Sequence, residues 1–152
     1  MYSGDNGWSV STISFLTRPA KDMLSFVDLL VFNAIIGNAD AHGKNYSMLY
    51  DGAERRLAPG YDLVSTICWP ALSAMPAMKI GGSDSINSIL AGHWRKFAEE
   101  IGIGPAALRS RVREFCNAIT KQSCETLSLP SQCESTLDKV RHRAAKMLAT
   151  VT

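Results

Sequence analysis

The sequence predicts a mainly α-helical domain that carries one small β-hairpin. This prediction depends on a long apolar segment with helical spacing before Gly37, a short alternating segment before Asp51-Gly52, and three amphipathic segments in the second half. The chain has 152 residues, of which 46% are hydrophobic and 20% are charged, so it can bury one core. We therefore expect residues 1–152 to form a single domain, and the composition excludes disordered and collagen-like proteins.

The first predicted helix begins at Pro19 and ends at Gly37. Proline is tolerated in the first turn of a helix, and glycine commonly follows the last turn. Apolar residues cover one face and much of the opposite face, so we expect protein to surround this helix on most sides. The core face contains Met23, Phe26, Val27, Leu30, Val31, Ala34 and Ile35, and the opposite face contains Leu24, Leu29, Phe32 and Ile36. The apolar stretch is shorter than the roughly 20 residues of a membrane span, so we expect no membrane partner.

A β-hairpin is predicted over residues 46–63. Tyr46, Met48 and Tyr50 alternate with Ser47 and Leu49, and this period of two is typical of a short strand. Asp51-Gly52 then turns the chain. A second extended run covers residues 56–63. Because it contains Pro59 and Gly60, we expect it to form an irregular edge strand.

Three further helices are predicted after a short extended piece at residues 78–82. The first ends at Gly102, the second begins at Pro105, and the third follows Ser131, which has capping-box spacing to Glu134. Their core-facing residues are Ile86, Ile89, Leu90, Trp94, Phe97 and Ile101, then Leu108, Val112, Phe115 and Ile119, then Leu137, Val140, Ala144, Leu148 and Val151.

Charge alone indicates no nucleic-acid or membrane partner, because the formal net charge is only +2. The basic residues of the last two helices lie mostly off the predicted core faces. Solvated helix faces and contacts with DNA phosphates are both open interpretations of them. These residues are Arg109, Arg111, Arg113, Lys139, Arg141, His142, Arg143 and Lys146.

The cysteines and the first residues predict a cytoplasmic protein. The four cysteines contain no C-x-x-C pair, and we expect them to be reduced core or half-buried residues. They are Cys68, Cys116, Cys124 and Cys133. Residues 1–7 have neither the basic nor the apolar region of a secretion signal.

The polar segment between Gly37 and Asn45 is dense in groups that bind magnesium or phosphate. It approaches a phosphate-binding P-loop, but five residues separate Gly37 from Gly43 where that motif has four. Asn45 also stands where a P-loop has serine or threonine, and the segment follows a predicted helix instead of a strand.

Two other interpretations of this segment are a transition-metal site and a structural loop. Asp40, His42 and either His93 or His142 supply metal-binding side chains, but they form no defined ligand pattern. Asparagine and aspartate also cap helices and turns routinely.

Asp40, Asn45 and Asp62 occur in an order that has a known mechanism. In protein kinases, a catalytic-loop aspartate accepts the proton of the acceptor hydroxyl, an asparagine five residues later holds a magnesium ion, and a later aspartate holds the metals. The predicted hairpin between Asn45 and Asp62 brings the two metal-binding side chains together. This order favours phosphoryl transfer.

The same residues belong to a longer pattern that resembles the HipA-like serine/threonine kinases, the toxins of bacterial toxin–antitoxin pairs. Residues 32–47 match the family's catalytic loop as F-N-x-x-I-G-N-x-D-x-H-x-K-N-x-S, and residues 58–62 match its metal-binding motif as A-P-x-Y-D. Residues 77–82, A-M-K-I-G-G, and 94–103, W-x-x-F-A-x-x-x-G-I, are similar to later segments of the family.

The resemblance implies a protein-kinase-like C-terminal lobe with a hairpin after the catalytic loop. It makes Asp40 the catalytic base, and it makes Asn45 and Asp62 ligands of magnesium. ATP is the implied co-substrate.

The resemblance also places His42, Lys44, Asn45, Tyr61 and Asp62 at the nucleotide. Lys44 has two open interpretations, a contact with the transferring phosphate or an ion pair with Asp40 alone. His42 is expected to orient the loop and not to titrate during catalysis.

The N-terminal, nucleotide-covering lobe of such a kinase is not found in these residues. No G-x-G-x-x-G motif occurs, since Gly102-Ile103-Gly104 is followed by Pro105, and fewer than 20 residues precede the first helix. We expect the isolated chain to be inactive. An isolated fragment, a truncated product and one part of a split enzyme are all open interpretations.

The resemblance implies four partners: a helix-turn-helix antitoxin, the missing N-terminal lobe, a protein substrate, and DNA reached through the antitoxin complex. The alternative function is a non-catalytic binding module that engages an antitoxin, DNA or another kinase lobe.

Overall fold

The computed structural model describes residues 13–151, so the prediction about a secretion signal in residues 1–7 lies outside it. Four long helices form the body: α1 (Pro19–Ile36), α2 (Ala91–Ile101), α3 (Pro105–Thr120) and α4 (Glu134–Val151). Strands β1 (Met48–Asp51) and β2 (Glu54–Leu57) form an antiparallel hairpin between α1 and α2. The mainly α fold with one small hairpin is confirmed.

Helix α1 is the central element. It begins at Pro19 and ends at Gly37, which adopts the left-handed conformation with φ of 74° and donates its amide to the carbonyl of Asn33. Phe26 and Val31 of α1 are fully buried. Leu24 is an exception to the expectation that protein surrounds this helix on most sides, since it is 56% exposed in the described part of the chain.

The other three helices close the core around α1. Helices α3 and α4 pack extensively against each other, α1 lies against both, and α2 packs against α3. Phe97 of α2, Leu108 and Val112 of α3, and Ala144 and Val151 of α4 are almost completely excluded from solvent in this core. Burying such apolar side chains is the main source of the fold's stability.

An ion pair joins α1 to α3 at the edge of the core. Arg111 donates from Nε and Nη2 to the two carboxylate oxygens of Asp28, at 2.5 and 2.6 Å. The guanidinium carbon also lies 5.1 Å from the centre of the Phe115 ring. Bidentate geometry and partial burial make this pair stronger than an ordinary surface ion pair.

The hairpin is shorter than predicted. Strand β2 ends at Leu57, so the expectation that residues 56–63 form the second strand is wrong beyond that residue. Pro59 has no N–H to donate to the neighbouring strand, and pairing past the strand ends is limited to a bond from the Ala58 amide to the Ser47 carbonyl. The Leu57 amide donates to the carboxylate of Asp22, which attaches the hairpin to α1.

The segment before α2 also differs from the prediction. Residues 78–82 are not extended, because Gly81 and Gly82 adopt positive φ angles of 54° and 79°. A Cβ atom at Gly81 would lie 1.9 Å from the carbonyl oxygen of His93, so only glycine fits there. Helix α2 begins at Ala91, and residues 86–88 form a separate 3₁₀ turn.

The capping box predicted at Ser131 is wrong. Ser131–Cys133 form a 3₁₀ turn, and α4 starts at Glu134. Ser131 lies inside this turn and not directly before the first residue of α4, where a capping residue would stand. The prediction of reduced cysteines agrees with the structure, in which all four thiols are free. No helix within residues 13–151 is both long and apolar enough to cross a bilayer.

Several basic residues of α3 and α4 are not simply solvated. Arg141 pairs with Glu134 and Asp138, and Arg111 pairs with Asp28 as described above. Arg143 is half-buried and contacts the end of α1. Arg111 and Arg143 therefore join helices to each other, whereas Arg141 pairs within α4, and the off-core positions in the sequence did not reveal these contacts.

Candidate functional site

The candidate site begins where α1 ends. The loop of residues 37–45 leaves the helix at Gly37, whose Cβ, if present, would lie 2.6 Å from the Ile67 side chain. Ser65 donates to the carbonyl of Ile36 at 2.7 Å, and Thr66 donates to the carbonyl of Gly37 at 2.8 Å. These hydroxyls satisfy carbonyls that the last helical turn leaves unpaired. The start of the loop is therefore fixed.

Asn38 connects the loop to the segment that follows the hairpin. Its Nδ2 lies 2.9 Å from Oδ1 of Asn33 and 3.2 Å from the main-chain carbonyl of Asp62. Its Oδ1 accepts a hydrogen bond of 3.1 Å from the amide of Asp40. Asn38 is 4% exposed, so one buried side chain holds the backbone both at the candidate catalytic Asp40 and at the candidate metal ligand Asp62.

A buried aromatic residue supports this network from below. The Tyr46 ring packs edge-on against Phe26 with centroids 4.9 Å apart, and its hydroxyl lies 3.5 Å from Nδ2 of Asn33. Burial raises the pKa of Tyr46 well above its ordinary value. Tyr46 is therefore a neutral structural residue at physiological pH.

Asn45 and Asp62 are brought together, as the hairpin predicted. Nδ2 of Asn45 donates to Oδ2 of Asp62 at 2.8 Å, across 17 residues of sequence. Asp62 has a φ of 55°, a left-handed conformation that aspartate and asparagine tolerate better than most residues. The Asn45 nitrogen makes this contact, which places the two side chains next to each other. Their carboxylate and amide oxygens are the types of ligand that magnesium prefers.

Tyr61 is held at the outer side of the loop. Its hydroxyl donates to the carbonyl of Lys44 at 2.5 Å and lies 2.7 Å from the hydroxyl of Ser47. Because the Tyr61 proton goes to the carbonyl, Ser47 is the donor in the second contact. Tyr61 thus clamps the part of the loop that carries Lys44 and Asn45.

Asp40, His42 and Lys44 differ in their surroundings. Asp40 and Lys44 are exposed, and the ion pairs within residues 13–151 do not join them. His42 is half-buried, and its Nδ1 has no hydrogen-bond partner in the described part of the chain. Of the two interpretations of Lys44, pairing with Asp40 alone is therefore not supported.

Two alternative interpretations of the loop, the P-loop and the transition-metal site, find no support. The loop follows helix α1 and not a strand, unlike a P-loop. No group of three or more histidine, cysteine, aspartate or glutamate side chains able to hold a metal ion occurs among residues 13–151. His93 instead accepts the amide of Leu90 at the start of α2, which removes it from the transition-metal set.

A cleft of about 830 Å³ opens beside Asp40 and Asp62. Among residues 13–151, these two aspartates are the only charged residues that line it, and the remaining wall is largely apolar. Sequence reasoning missed this cleft and the roles of Asn38 and Thr66. Asn38 lies within the quoted motif, whereas Thr66 has no sequence signal because its role depends on tertiary contacts.

The comparisons with known proteins agree on one family. The model of the HipA-like C-terminal domain matches residues 8–123. The Sinorhizobium fredii protein named "Putative kinase Y4mE" is 38% identical over 127 residues, which cover 84% of this chain and 30% of that protein. The Shewanella oneidensis serine/threonine-protein kinase toxin HipA is 33% identical over 130 residues, which cover 85% and 29% of the two chains.

A solved structure has the same fold. In the complex of HipA, HipB and operator DNA from Shewanella oneidensis MR-1, one chain matches with a TM-score of 0.77 and 29% identity. The match covers 93% of this chain and 34% of that chain. The present chain therefore spans about a third of the length of the proteins that it resembles.

Proposed function

Because the chain belongs to the HipA-like C-terminal domain family, we propose that it is the catalytic and magnesium-binding lobe of an ATP-dependent serine/threonine protein kinase. The observation that carries this proposal is the contact between Asn45 and Asp62 at 2.8 Å, tied through Asn38 to Asp40. An asparagine and two aspartates in this relation are the parts with which kinases position a metal and an acceptor hydroxyl.

Asp40 is proposed as the catalytic base. Its carboxylate is exposed at the edge of the cleft, where a serine or threonine hydroxyl can approach it. Asp40 accepts the hydroxyl proton while the hydroxyl oxygen forms a bond to the γ-phosphorus of ATP. The bond from that phosphorus to the bridging oxygen breaks, and ADP leaves with the electron pair.

Asn45 and Asp62 are proposed to hold magnesium. Their oxygens fit a hard cation, but two protein ligands are too few for the six that magnesium takes. When bound, the ion neutralises charge on the phosphates. The protein's own contribution is to keep the Asn45 and Asp62 side chains adjacent, through the hairpin and the bond from Asn38 to the Asp62 carbonyl.

His42, Lys44 and Tyr61 are proposed to lie on the nucleotide side, together with Asn45 and Asp62. The exposed ammonium of Lys44 is free to reach a phosphate, since no carboxylate among residues 13–151 pairs with it. Tyr61 holds the Lys44 carbonyl and so fixes the backbone from which this ammonium extends. His42 orients the loop.

The proposed kinase requires a second lobe that covers the nucleotide. We propose that residues 1–152 act as one C-terminal lobe, and that the nucleotide-covering lobe is supplied by another segment or chain. The match to a complex of HipA, HipB and operator DNA supports a helix-turn-helix antitoxin, and DNA reached through it, as further partners. The protein substrate is the remaining partner.

The proposal is tested by phosphoryl transfer from labelled ATP when the chain is joined to a nucleotide-covering lobe. Asp40→Asn should lower the rate by about 10²–10⁴ because asparagine cannot accept the proton. Asp51→Asn, an exposed change in the hairpin, is the matched control and should leave the rate unchanged. Near-normal turnover by Asp40→Asn would contradict the assigned base, and phosphorylation by the 152-residue chain alone would contradict the need for a second lobe.

A non-catalytic binding module is the second candidate, and the match to a toxin–antitoxin–DNA complex is the observation that favours it. Such a module would bind its partners equally well with or without Asp40 and would transfer no phosphate after the second lobe is supplied. The same wild-type and Asp40→Asn proteins therefore separate the two functions.

A further inference from the structure

A second groove lies between α4 and the segment that joins the hairpin to α2. It consists of two cavities, of about 360 and 390 Å³, with α4 on one side and residues 66–90 on the other. The two cavities share four lining residues and so form one continuous groove: Ile86, Asn87, His142 and Arg143. Within residues 13–151, the proposed catalytic base and the proposed metal ligands take no part in its lining.

The α4 side of the groove is basic. Its charged or titratable lining residues recur at helix positions i, i+3, i+4 and i+7, which share one face: Lys139, His142, Arg143 and Lys146. The ion pairs in the described part of the chain include none of these four side chains. The carboxylates of α4, Glu134 and Asp138, pair with Arg141 instead. This face therefore keeps its positive charge.

The opposite side of the groove is partly apolar. Three of its large side chains are exposed to solvent: Trp69 by 55%, Leu72 by 56% and Leu90 by 53%. No aspartate or glutamate among residues 13–151 lines either cavity. A groove of this kind complements an occupant that has carboxylates on one side and large apolar groups on the other.

Arg143 joins the two sides of the groove. Its guanidinium donates to the carbonyl of Ile86 at 2.9 Å and to Oδ1 of Asn87 at 2.5 Å, and both acceptors lie on the side opposite α4. All of its acceptors in the described part of the chain are neutral oxygens. These contacts therefore fix the groove without neutralising the charge of Arg143.

The Thr66–Ala77 segment, which forms part of the opposite side, is also fixed. The amide of Ala39 donates to Oγ1 of Thr66 at 3.0 Å, and the carbonyl of Ala39 accepts from the amide of Ala77 at 2.9 Å. Within the segment, the Leu72 amide donates to the Trp69 carbonyl at 2.9 Å. The groove is thus preformed, which reduces the cost of ordering it when a ligand binds.

We propose that this groove binds an extended, acidic segment of a partner polypeptide in which acidic and large apolar residues alternate. Successive side chains of an extended chain point to opposite sides, and every second one recurs after about 7 Å. Lys139 and Lys146 lie two helical turns apart, roughly 10 Å along α4, so their long side chains reach two acidic residues of such a segment. The apolar residues then face the opposite side of the groove.

A polypeptide fits this groove better than a nucleic acid does. An oligonucleotide supplies negative charge, but it has no aliphatic side chains to bury against Leu72 and Leu90. The inference goes beyond the proposed function and does not depend on it, because it uses neither the proposed base nor the proposed metal ligands.

Direct binding of peptides to the 152-residue chain tests the proposal. Two fluorescent peptides of equal length alternate leucine with glutamate in one and with glutamine in the other. Fluorescence anisotropy at low salt should show the glutamate peptide binding about fivefold or more tightly, since ion pairs distinguish the two. The double variant Lys139→Gln/Lys146→Gln should reduce this preference to less than about twofold. Salt at roughly 0.5 M should also reduce it, because the charges are then screened.

The control is the double variant Lys96→Gln/Lys121→Gln, because both lysines are exposed, lie outside the groove and give the same change in net charge. It should keep the preference. Equal binding of the two peptides by the wild-type chain would overturn the proposal. A preference that survives Lys139→Gln/Lys146→Gln, or that the control variant loses equally, would overturn it as well.

Two further probes test the class of the occupant. A peptide that alternates glutamate with serine should bind about threefold or more weakly than the glutamate–leucine peptide, because it buries no leucine. A single-stranded oligonucleotide with the same number of charges should not displace the glutamate–leucine peptide. Equal binding of the serine peptide would overturn the alternating acidic and apolar occupant. Displacement by the oligonucleotide that depends on Lys139 and Lys146 would make a nucleic acid the occupant and would also overturn the proposal.

Discussion

The guanidinium of Arg143 donates a hydrogen bond of 2.9 Å to the main-chain carbonyl of Ala34, which joins α4 to the end of α1. The same side chain donates to the carbonyls of Ile35 at 3.3 Å and Ile86 at 2.9 Å, and to Oδ1 of Asn87 at 2.5 Å. A cation at the C-terminus of a helix also interacts favourably with the helix dipole. Arg143 therefore fixes the helix end from which the candidate catalytic loop starts.

Arg143→Met should lower the free energy of unfolding by about 1–3 kcal/mol, because it leaves partly buried carbonyls of α1 without a donor. Lys146→Met, an exposed change one turn along α4, is the matched control and should alter it by less than about 0.5 kcal/mol. Urea denaturation followed by circular dichroism measures both. Equal stability of the two variants would show that Arg143 does not hold the helices together.

Thr66→Val should destabilise the loop, because valine keeps the shape of threonine but neither donates to the Gly37 carbonyl nor accepts from the Ala39 amide. We expect a loss of about 1–3 kcal/mol in the free energy of unfolding. Thr66→Ser retains the hydroxyl and should recover most of that loss. If the serine variant is as unstable as the valine variant, the missing methyl group and not the hydroxyl matters.

Asp62→Asn should remove most of the magnesium dependence of nucleotide binding when the second lobe is supplied. Asparagine tolerates the left-handed conformation at this position, so the loss would reflect the carboxylate and not the backbone. Titration calorimetry of wild type and variant with magnesium, ATP and both together measures this dependence. Asp51→Asn again serves as the control.

The isolated chain should bind free magnesium only weakly, at about millimolar concentration or above, because Asn45 and Asp62 supply two of the six ligands that magnesium takes. Tight magnesium binding by the chain alone, unchanged in Asp62→Asn, would mean that the metal site lies elsewhere.

The stability of the fold should fall as pH rises from about 9 to 11, in part through Cys116. Burial raises the pKa of the Cys116 thiol from 9.0 to about 11. Between these values the unfolded chain has lost the thiol proton while the folded chain keeps it, so rising pH favours unfolding. Cys116→Ala should be less stable throughout, but its stability should fall less steeply over this interval in denaturation curves. Parallel curves for the two proteins would contradict the raised pKa.

The sequence predicted those features that depend on neighbouring residues. Helix ends at Gly37 and Gly102 were predicted because a left-handed C-terminal residue is a local requirement that glycine meets. The family pattern likewise identified Asp40, Asn45 and Asp62, and the structure brings the last two into contact. Whether these residues act as proposed stays a prediction.

The features that sequence reasoning missed depend on contacts between distant parts of the chain. The end of β2 at Leu57 depends on which backbone groups find partners, and a pattern of apolar residues does not reveal this. Arg143 looked like a surface residue because its acceptors lie far away in the sequence, with the carbonyls of Ala34 and Ile35 more than 100 positions distant. Thr66 resembles any loop threonine until its neighbours in space are known.

The attachment of the Thr66–Ala77 segment to Ala39 has a consequence for inhibition. Because Ala39 holds one end through its amide and the other through its carbonyl, the segment cannot be lifted away without breaking bonds at the residue next to Asp40. A small molecule wedged beneath Trp69 and Met75 would therefore shift the backbone that carries the proposed base. Asp62 lines the same cleft, so such a molecule would disturb the proposed metal site as well.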